Sequence, residues 1–114
     1  MMRGFIGLGS NIEPRIAHLR IAVQNINRIP NTCVMRISSL YETEPIGVSE
    51  PQAWYLNAVV EIETELSPFL LLEALEAIER ELGRCTHSKG TNAPRTIDLD
   101  LLLLDDIQIE TDRL

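Results

Sequence analysis

The chain has 114 residues, 45% of them apolar and 24% charged, a composition that fits one folded domain and leaves little room for a second. Its formal net charge of −7 argues against a nucleic-acid or anionic-membrane surface, because such partners require a basic field. An acidic chain can still meet a polyphosphate if a divalent cation lies between them.

Residues 2 to 8 read as a strand that ends in Gly7-Leu8-Gly9-Ser10-Asn11. A helix is predicted over residues 13 to 28: Pro14 suits its first turn, and Ile16, Leu19, Val23 and Ile26 recur as one apolar stripe. Pro30-Asn31 ends it. Residues 32 to 42 read as a strand with Cys33, Met35 and Ile37 on one face. Residues 43 to 53 hold two prolines and a glycine and read as a long loop, a feature more often functional than idle in a small domain. Residues 55 to 64 alternate, with Leu56, Ala58, Val60 and Ile62 facing one way and Tyr55, Asn57, Glu61 and Glu63 the other. Ser67 then caps a second helix with Pro68 at its first position; Leu71, Leu75, Ile78 and Leu82 form its stripe, and Gly83 closes it. Residues 84 to 94 are a polar loop. Residues 95 to 104 form a strand with Ile97, Leu99, Leu101 and Leu103 on its apolar side, and residues 105 to 110 turn back as a short hairpin strand. The order β-α-β-β-α-β predicts an α+β, ferredoxin-like sandwich over residues 1–114, an antiparallel sheet with both helices on one face.

Cys33 and Cys85 lie far apart, form no CxxC pair and read as ordinary thiols of a reducing compartment. The start, Met1-Met2-Arg3-Gly4-Phe5-Ile6-Gly7, is too short an apolar run for a signal peptide, and Leu101 to Leu104 is too short to span a bilayer, so a cytoplasmic location is expected.

Asp98 and Asp100 stand two apart on a predicted strand, so their carboxylates share a face at roughly 7 Å along the strand. Two ionised carboxylates repel, and a divalent cation offsets them well. The bland alternative is an exposed face that merely alternates. Against it, the strand is otherwise strongly apolar, and Pro94-Arg95 just ahead resembles a phosphate clamp beside a metal site. Tyr55 and Asn57 share a polar strand face, and a stacking ring beside a donor-acceptor amide suits a flat heteroaromatic ligand; an ordinary exposed pair is the alternative. Glu79, Arg80 and Arg84 read first as local ion pairs at a helix end, and the loop beyond adds His87 and Lys89, cations able to close over phosphates. His87 has no second histidine at ligand spacing, since His18 is on the first helix. Gly7-Leu8-Gly9 is a weak dinucleotide signal, because Ile12 holds the place of a third glycine; close backbone packing at a strand end is the favoured role.

These blocks, taken together, resemble the 6-hydroxymethyl-7,8-dihydropterin pyrophosphokinase family. The resemblance rests on Gly7-Leu8-Gly9-Ser10-Asn11, on Tyr41-Glu42-Thr43-Glu44-Pro45-Ile46-Gly47, and on Trp54-Tyr55-Leu56-Asn57-Ala58-Val59. It continues in Ile78-Glu79-Arg80-Glu81-Leu82-Gly83-Arg84 and in the highly specific Ala93-Pro94-Arg95-Thr96-Ile97-Asp98-Leu99-Asp100. It implies the same sandwich fold and transfer of diphosphate from Mg-ATP to a pterin hydroxymethyl group, with release of AMP, in folate biosynthesis. By the family pattern Asp98 and Asp100 bind two magnesium ions, Arg84 and Arg95 contact the triphosphate as catalytic groups, and Glu79, Leu101 and Arg113 lie at the nucleotide. Tyr55 and Asn57 hold the pterin, with the loop residues Thr43, Glu44 and Ile46 supplying backbone groups. ATP and the pterin are the implied small-molecule partners.

The chain departs from the family pattern in two places. Thr86 stands where a further arginine is common, with Lys89 as a candidate replacement, and Asn92-Ala93 stand where a tryptophan-glycine is common. The family also continues past Arg113 with a Pro-His segment, another arginine and helical structure covering the second sheet face, so a shortened or truncated member is expected here, with a homo-oligomer through the uncovered face as one way to bury it. Two other classes stay open: a shortened homologue that binds pterin or nucleotide without turnover, and an interaction domain that keeps only the scaffold. Retention of Arg95, Asp98, Asp100, Tyr55 and Asn57 favours a ligand-using protein over the last.

Overall fold

A computed structural model describes residues 1–45, 53–83, 96–104 and 107–108. The elements run β1 (Met2–Ser10), α1 (Arg15–Asn27), β2 (Thr32–Ile37), β3 (Tyr41–Thr43), β4 (Tyr55–Thr64), α2 (Pro68–Glu81), β5 (Asp98–Leu104) and β6 (Ile107–Gln108). All pairings are antiparallel, in the order β2-β4-β1-β5-β6, with β3 also on β4. This is the β-α-β-β-α-β sandwich that the sequence order predicts, with β3 and β6 as short additions.

The sheet has two unlike faces because its strands alternate. Ile6, Leu8, Val60, Ile62, Leu99 and Leu101 face the helices and pack with Leu19, Ala22, Ile26, Leu71, Leu75 and Ile78 in one core. Full burial of each large side chain there stabilises the fold by about 1.5–3 kcal/mol. Helix α2 starts where Ser67 Oγ accepts from the Leu70 N–H at 3.3 Å and Pro68 removes a donor that would go unpaired. It stops at Gly83, whose φ of 97° is open to glycine and strained for other residues. Buried Thr32 and Thr64 share a hydroxyl bond of 2.7 Å that ties the start of β2 to the end of β4.

Three expectations are corrected. The apolar stripe of α1 runs through Leu19, Ala22 and Ile26, with Val23 packed at its margin; Ile16 is 53% exposed and lines an open cleft with Leu40 and Tyr41. The strand expected over 32 to 42 is two strands, β2 and β3, both on β4. The register slips between Val34 and Arg36, and Ser38 then bonds Val59 twice: its N–H donates to the Val59 carbonyl and its Oγ accepts from the Val59 N–H, each at 2.8 Å. Met35 and Ile37 are consequently exposed on an edge strand. On β5, a bulge opposite Phe5 and Ile6 shifts the alternation, so Leu104 takes the core position that strict alternation assigns to Leu103. Cys33 is half-buried with a free thiol, and Cys85 lies outside the described residues. No helix among the described residues is long and apolar enough to cross a membrane.

The α1 correction is testable by urea denaturation. Ile16→Ala should change stability by about 0.5 kcal/mol or less, whereas Ala22→Leu should overpack the core and cost about 1–3 kcal/mol. A large loss at Ile16 with a tolerated Leu at position 22 would restore the stripe expected from periodicity.

Candidate functional site

The open sheet face carries the polar halves of the strands. Asp98 and Asp100 sit opposite Gly9 and Gly7 on β1, and those glycines sit opposite Asn57 and Val59 on β4. Tyr41 on β3 lies opposite Asn57, and Thr43 opposite Tyr55. Directly opposed residues of an antiparallel pair point to one face, so Asp98, Gly9, Asn57 and Tyr41 form a row across four strands. At about 4.8 Å per strand, Asp98 and Asn57 are separated by roughly 10 Å of glycine-floored surface.

Gly9 is required by a close approach. A Cβ there would meet Asn57 Oδ1 at 2.9 Å and Tyr55 Cδ1 at 3.3 Å, so both side chains lie over the bare backbone. The Asn57 amide donates to Thr43 Oγ1 at 2.9 Å, to the Tyr41 carbonyl at 3.3 Å and to the Tyr55 carbonyl at 3.4 Å. Those bonds fix which way the amide points and aim its carbonyl oxygen over Gly9. Tyr55, Asn57, Asp98 and Asp100 are all half-buried, reachable yet held.

The feet of the loop between β3 and β4 are fastened by the turn that leads into α1. Arg15 Nη1 donates to Glu42 Oε2 at 2.8 Å and to the Trp54 carbonyl at 2.9 Å, and Asn11 Nδ2 donates to the Ala53 carbonyl at 3.3 Å. The bond that Arg15 donates to Glu42 raises the Arg15 pKa above its ordinary value; partial desolvation opposes this, and the charge of nearby Glu13 adds to it. Sequence reasoning missed both residues. A lone arginine in a first helical turn reads as surface, and no spacing links it to Glu42 and Trp54.

The other expected site residues fall in three groups. Glu79 is buried on α2, where its Oε2 accepts from the Leu99 N–H at 2.7 Å. Leu101 is 2% exposed and faces the helices. Glu44 is exposed next to Thr43. Ile46, Arg84, His87, Lys89, Arg95 and Arg113 lie outside the described residues. A separate cleft of about 610 Å³, lined by Glu13, Arg15, Leu40 and Glu42 among others, opens between the start of α1 and β3, away from the aspartates.

Residues 5–114 match the family described as 7,8-dihydro-6-hydroxymethylpterin-pyrophosphokinase. A 2-amino-4-hydroxy-6-hydroxymethyldihydropteridine pyrophosphokinase of Bacillus subtilis is 47% identical over 110 residues, covering 96% of this chain and 64% of the relative. The protein of the same name from Haemophilus influenzae is 40% identical over 114 residues, covering all of this chain and 69% of the relative. One from Pseudomonas putida is 36% identical over 113 residues, covering 99% of this chain and 91% of the relative. The chain thus spans about two thirds of the length of the first two relatives.

Gly9→Ala should displace Asn57, shifting its side-chain amide NMR signals and costing about 1–3 kcal/mol. Gly7→Ala, whose Cβ would meet the Leu102 side chain at 3.4 Å or more, should leave those signals in place. An equal response to both substitutions would remove the special role of Gly9.

Proposed function

The chain belongs to the 7,8-dihydro-6-hydroxymethylpterin-pyrophosphokinase family, and from that membership we propose that it transfers diphosphate from ATP to the hydroxymethyl group of a dihydropterin, releasing AMP. The observation that carries the reading is the row Asp98–Gly9–Asn57. It sets a carboxylate pair and a ring-and-amide pair on one sheet face, with glycines that project no side chain between them.

Each half of the row has its own task. Tyr55 offers a ring to stack on the pterin, and Asn57 offers a carbonyl oxygen whose direction is already fixed by three donated bonds. Thr43 and its neighbours Glu44 and Ile46 would supply main-chain groups to the same ring. At the other end, Asp98 and Asp100 suit magnesium: they are oxygen donors on one face, opposite glycines that project no side chain. When bound there, magnesium supplies positive charge that offsets the carboxylates and the polyphosphate together.

Arg84 and Arg95 would contact the triphosphate through their guanidinium forks, and Leu101 and Arg113 would lie at the nucleotide. The pterin hydroxyl oxygen forms a bond to the β-phosphorus as the bond to the α-phosphate bridging oxygen breaks, and AMP leaves. The protein's contribution is placement and charge, not covalent chemistry. Placement in folate biosynthesis follows from the same substrates.

The test is AMP release from Mg-ATP with 6-hydroxymethyl-7,8-dihydropterin. Asp98→Ala should lower kcat by on the order of a hundredfold or more. Turnover that survives the substitution would remove Asp98 from the metal site, and pterin binding without AMP release would make the chain a binding module. Nucleotide affinity should also fall sharply in chelator, because two carboxylates facing a bare triphosphate repel it.

A further inference from the structure

Glu79 is 3% exposed between α2 and the sheet, yet it carries a carboxylate among Leu71, Leu75 and Ile78. A buried carboxylate is costly unless it is well bonded. Its Oε2 accepts from the Leu99 N–H at 2.7 Å, the short distance of a charge-assisted bond. That N–H belongs to the peptide joining Asp98 to Leu99, inside the Asp98-Leu99-Asp100 run.

We infer that Glu79 is a positioning residue for the Asp98 and Asp100 carboxylates, acting through the main chain of β5. The inference deepens the function proposed above and rests on its reading of that pair as the metal holder. On β5, Asp98, Leu99 and Asp100 stand opposite Gly9, Leu8 and Gly7 of β1, and successive N–H groups of a strand point to opposite edges. The Leu99 N–H is the one that donates to Glu79, and so points away from β1. Glu79 holds the outer edge of β5 at Leu99. With one edge paired to β1 and the other bonded to α2, the peptide plane between the aspartates is fixed. Both carboxylates then leave the open face in set directions, while Leu99 is locked into the core at 5% exposure. The family pattern places Glu79 at the nucleotide, and the bond to Leu99 gives the same carboxylate a hold on the strand that carries the aspartates.

Two substitutions separate reach from charge. Glu79→Gln keeps an oxygen at the same distance and loses the charge, whereas Glu79→Asp keeps the charge and falls one methylene short. Mn2+ binding in the presence of a non-hydrolysable ATP analogue, read by EPR below the melting temperature of every variant, is the functional readout. Hydrogen exchange at the Leu99 amide reads the link itself. Glu79→Asp should weaken Mn2+ binding by roughly tenfold or more and expose the Leu99 amide to exchange. Glu79→Gln should stay within about threefold, with the amide protected. The reverse order would assign Glu79 to direct contact with the ligands, and wild-type Mn2+ binding by both variants would overturn the positioning role alone. Failure of the wild-type protein to bind Mn2+ with the nucleotide analogue would overturn the metal reading and this inference with it. Should neither variant fold, a cross-hydrogen-bond coupling between the Leu99 nitrogen and the Glu79 carboxyl carbon decides the link in the wild-type protein, and its absence overturns the proposal.

Discussion

The period-two alternation of β1 is the constraint on which the rest of the structure depends. Ile6 and Leu8 fill the core from one side of the strand, while Gly7 and Gly9 leave the other side bare. The strand is paired on both edges, to β4 and to β5, so its register fixes theirs. A slip of one residue would turn leucine onto the open face and glycine into the core. The same register sets Asp98 and Asn57 on either side of Gly9. Core packing and site geometry are therefore one decision, and a change that weakens the first disturbs the second.

Polar groups divide along the same two faces. On the open face Arg3 and Arg36 both approach Glu61, at 3.5 and 3.3 Å, but the arginine side chains are 64% and 81% exposed. Such pairs contribute less than about 1 kcal/mol and weaken with salt. The bonds made in the buried layer are fewer and more exacting. Leaving one partner of the Thr32–Thr64 hydroxyl pair or of the Glu79–Leu99 bond unsatisfied costs about 1–3 kcal/mol. These bonds fix strand ends and peptide planes, which apolar contacts alone leave free to shift.

Much of this was legible in the sequence. The alternation of residues 55 to 64 gives β4 to the residue, and Ser67-Pro68 with Gly83 marks both ends of α2. The shared face of Asp98 and Asp100, and that of Tyr55 and Asn57, follows from spacing of two on each strand. What spacing cannot carry is the relation between strands. The bulge that moves Leu104 inward depends on how β5 meets Phe5 and Ile6, and the break at Ser38 depends on Val59. Glu79 reads locally as part of a charged helix end beside Arg80, because its partner is a main-chain N–H twenty residues on. Ile16 satisfies the helical period yet sits in the first turn of α1, beside the cleft and not over the sheet.

The two ends of the site are held by different parts of the chain. The aspartate end is held from α2, by Glu79 on the outer edge of β5. The end with Tyr55 and Asn57 is held from the first turn of α1 and the residues before it, by Arg15 on Glu42 and Trp54 and by Asn11 on Ala53. The raised pKa of Arg15 keeps its guanidinium charged, so this second tie does not release through Arg15 losing its charge. The ties differ in kind as well as in place. Glu79 is sealed in the core, whereas the Arg15–Glu42 bond is open to solvent, with half of the Glu42 side chain exposed. Bonds that water can replace open at lower free energy than bonds in the core. The carboxylate end is thus held by the buried tie, and the end with Tyr55 and Asn57 by the tie that is open to solvent.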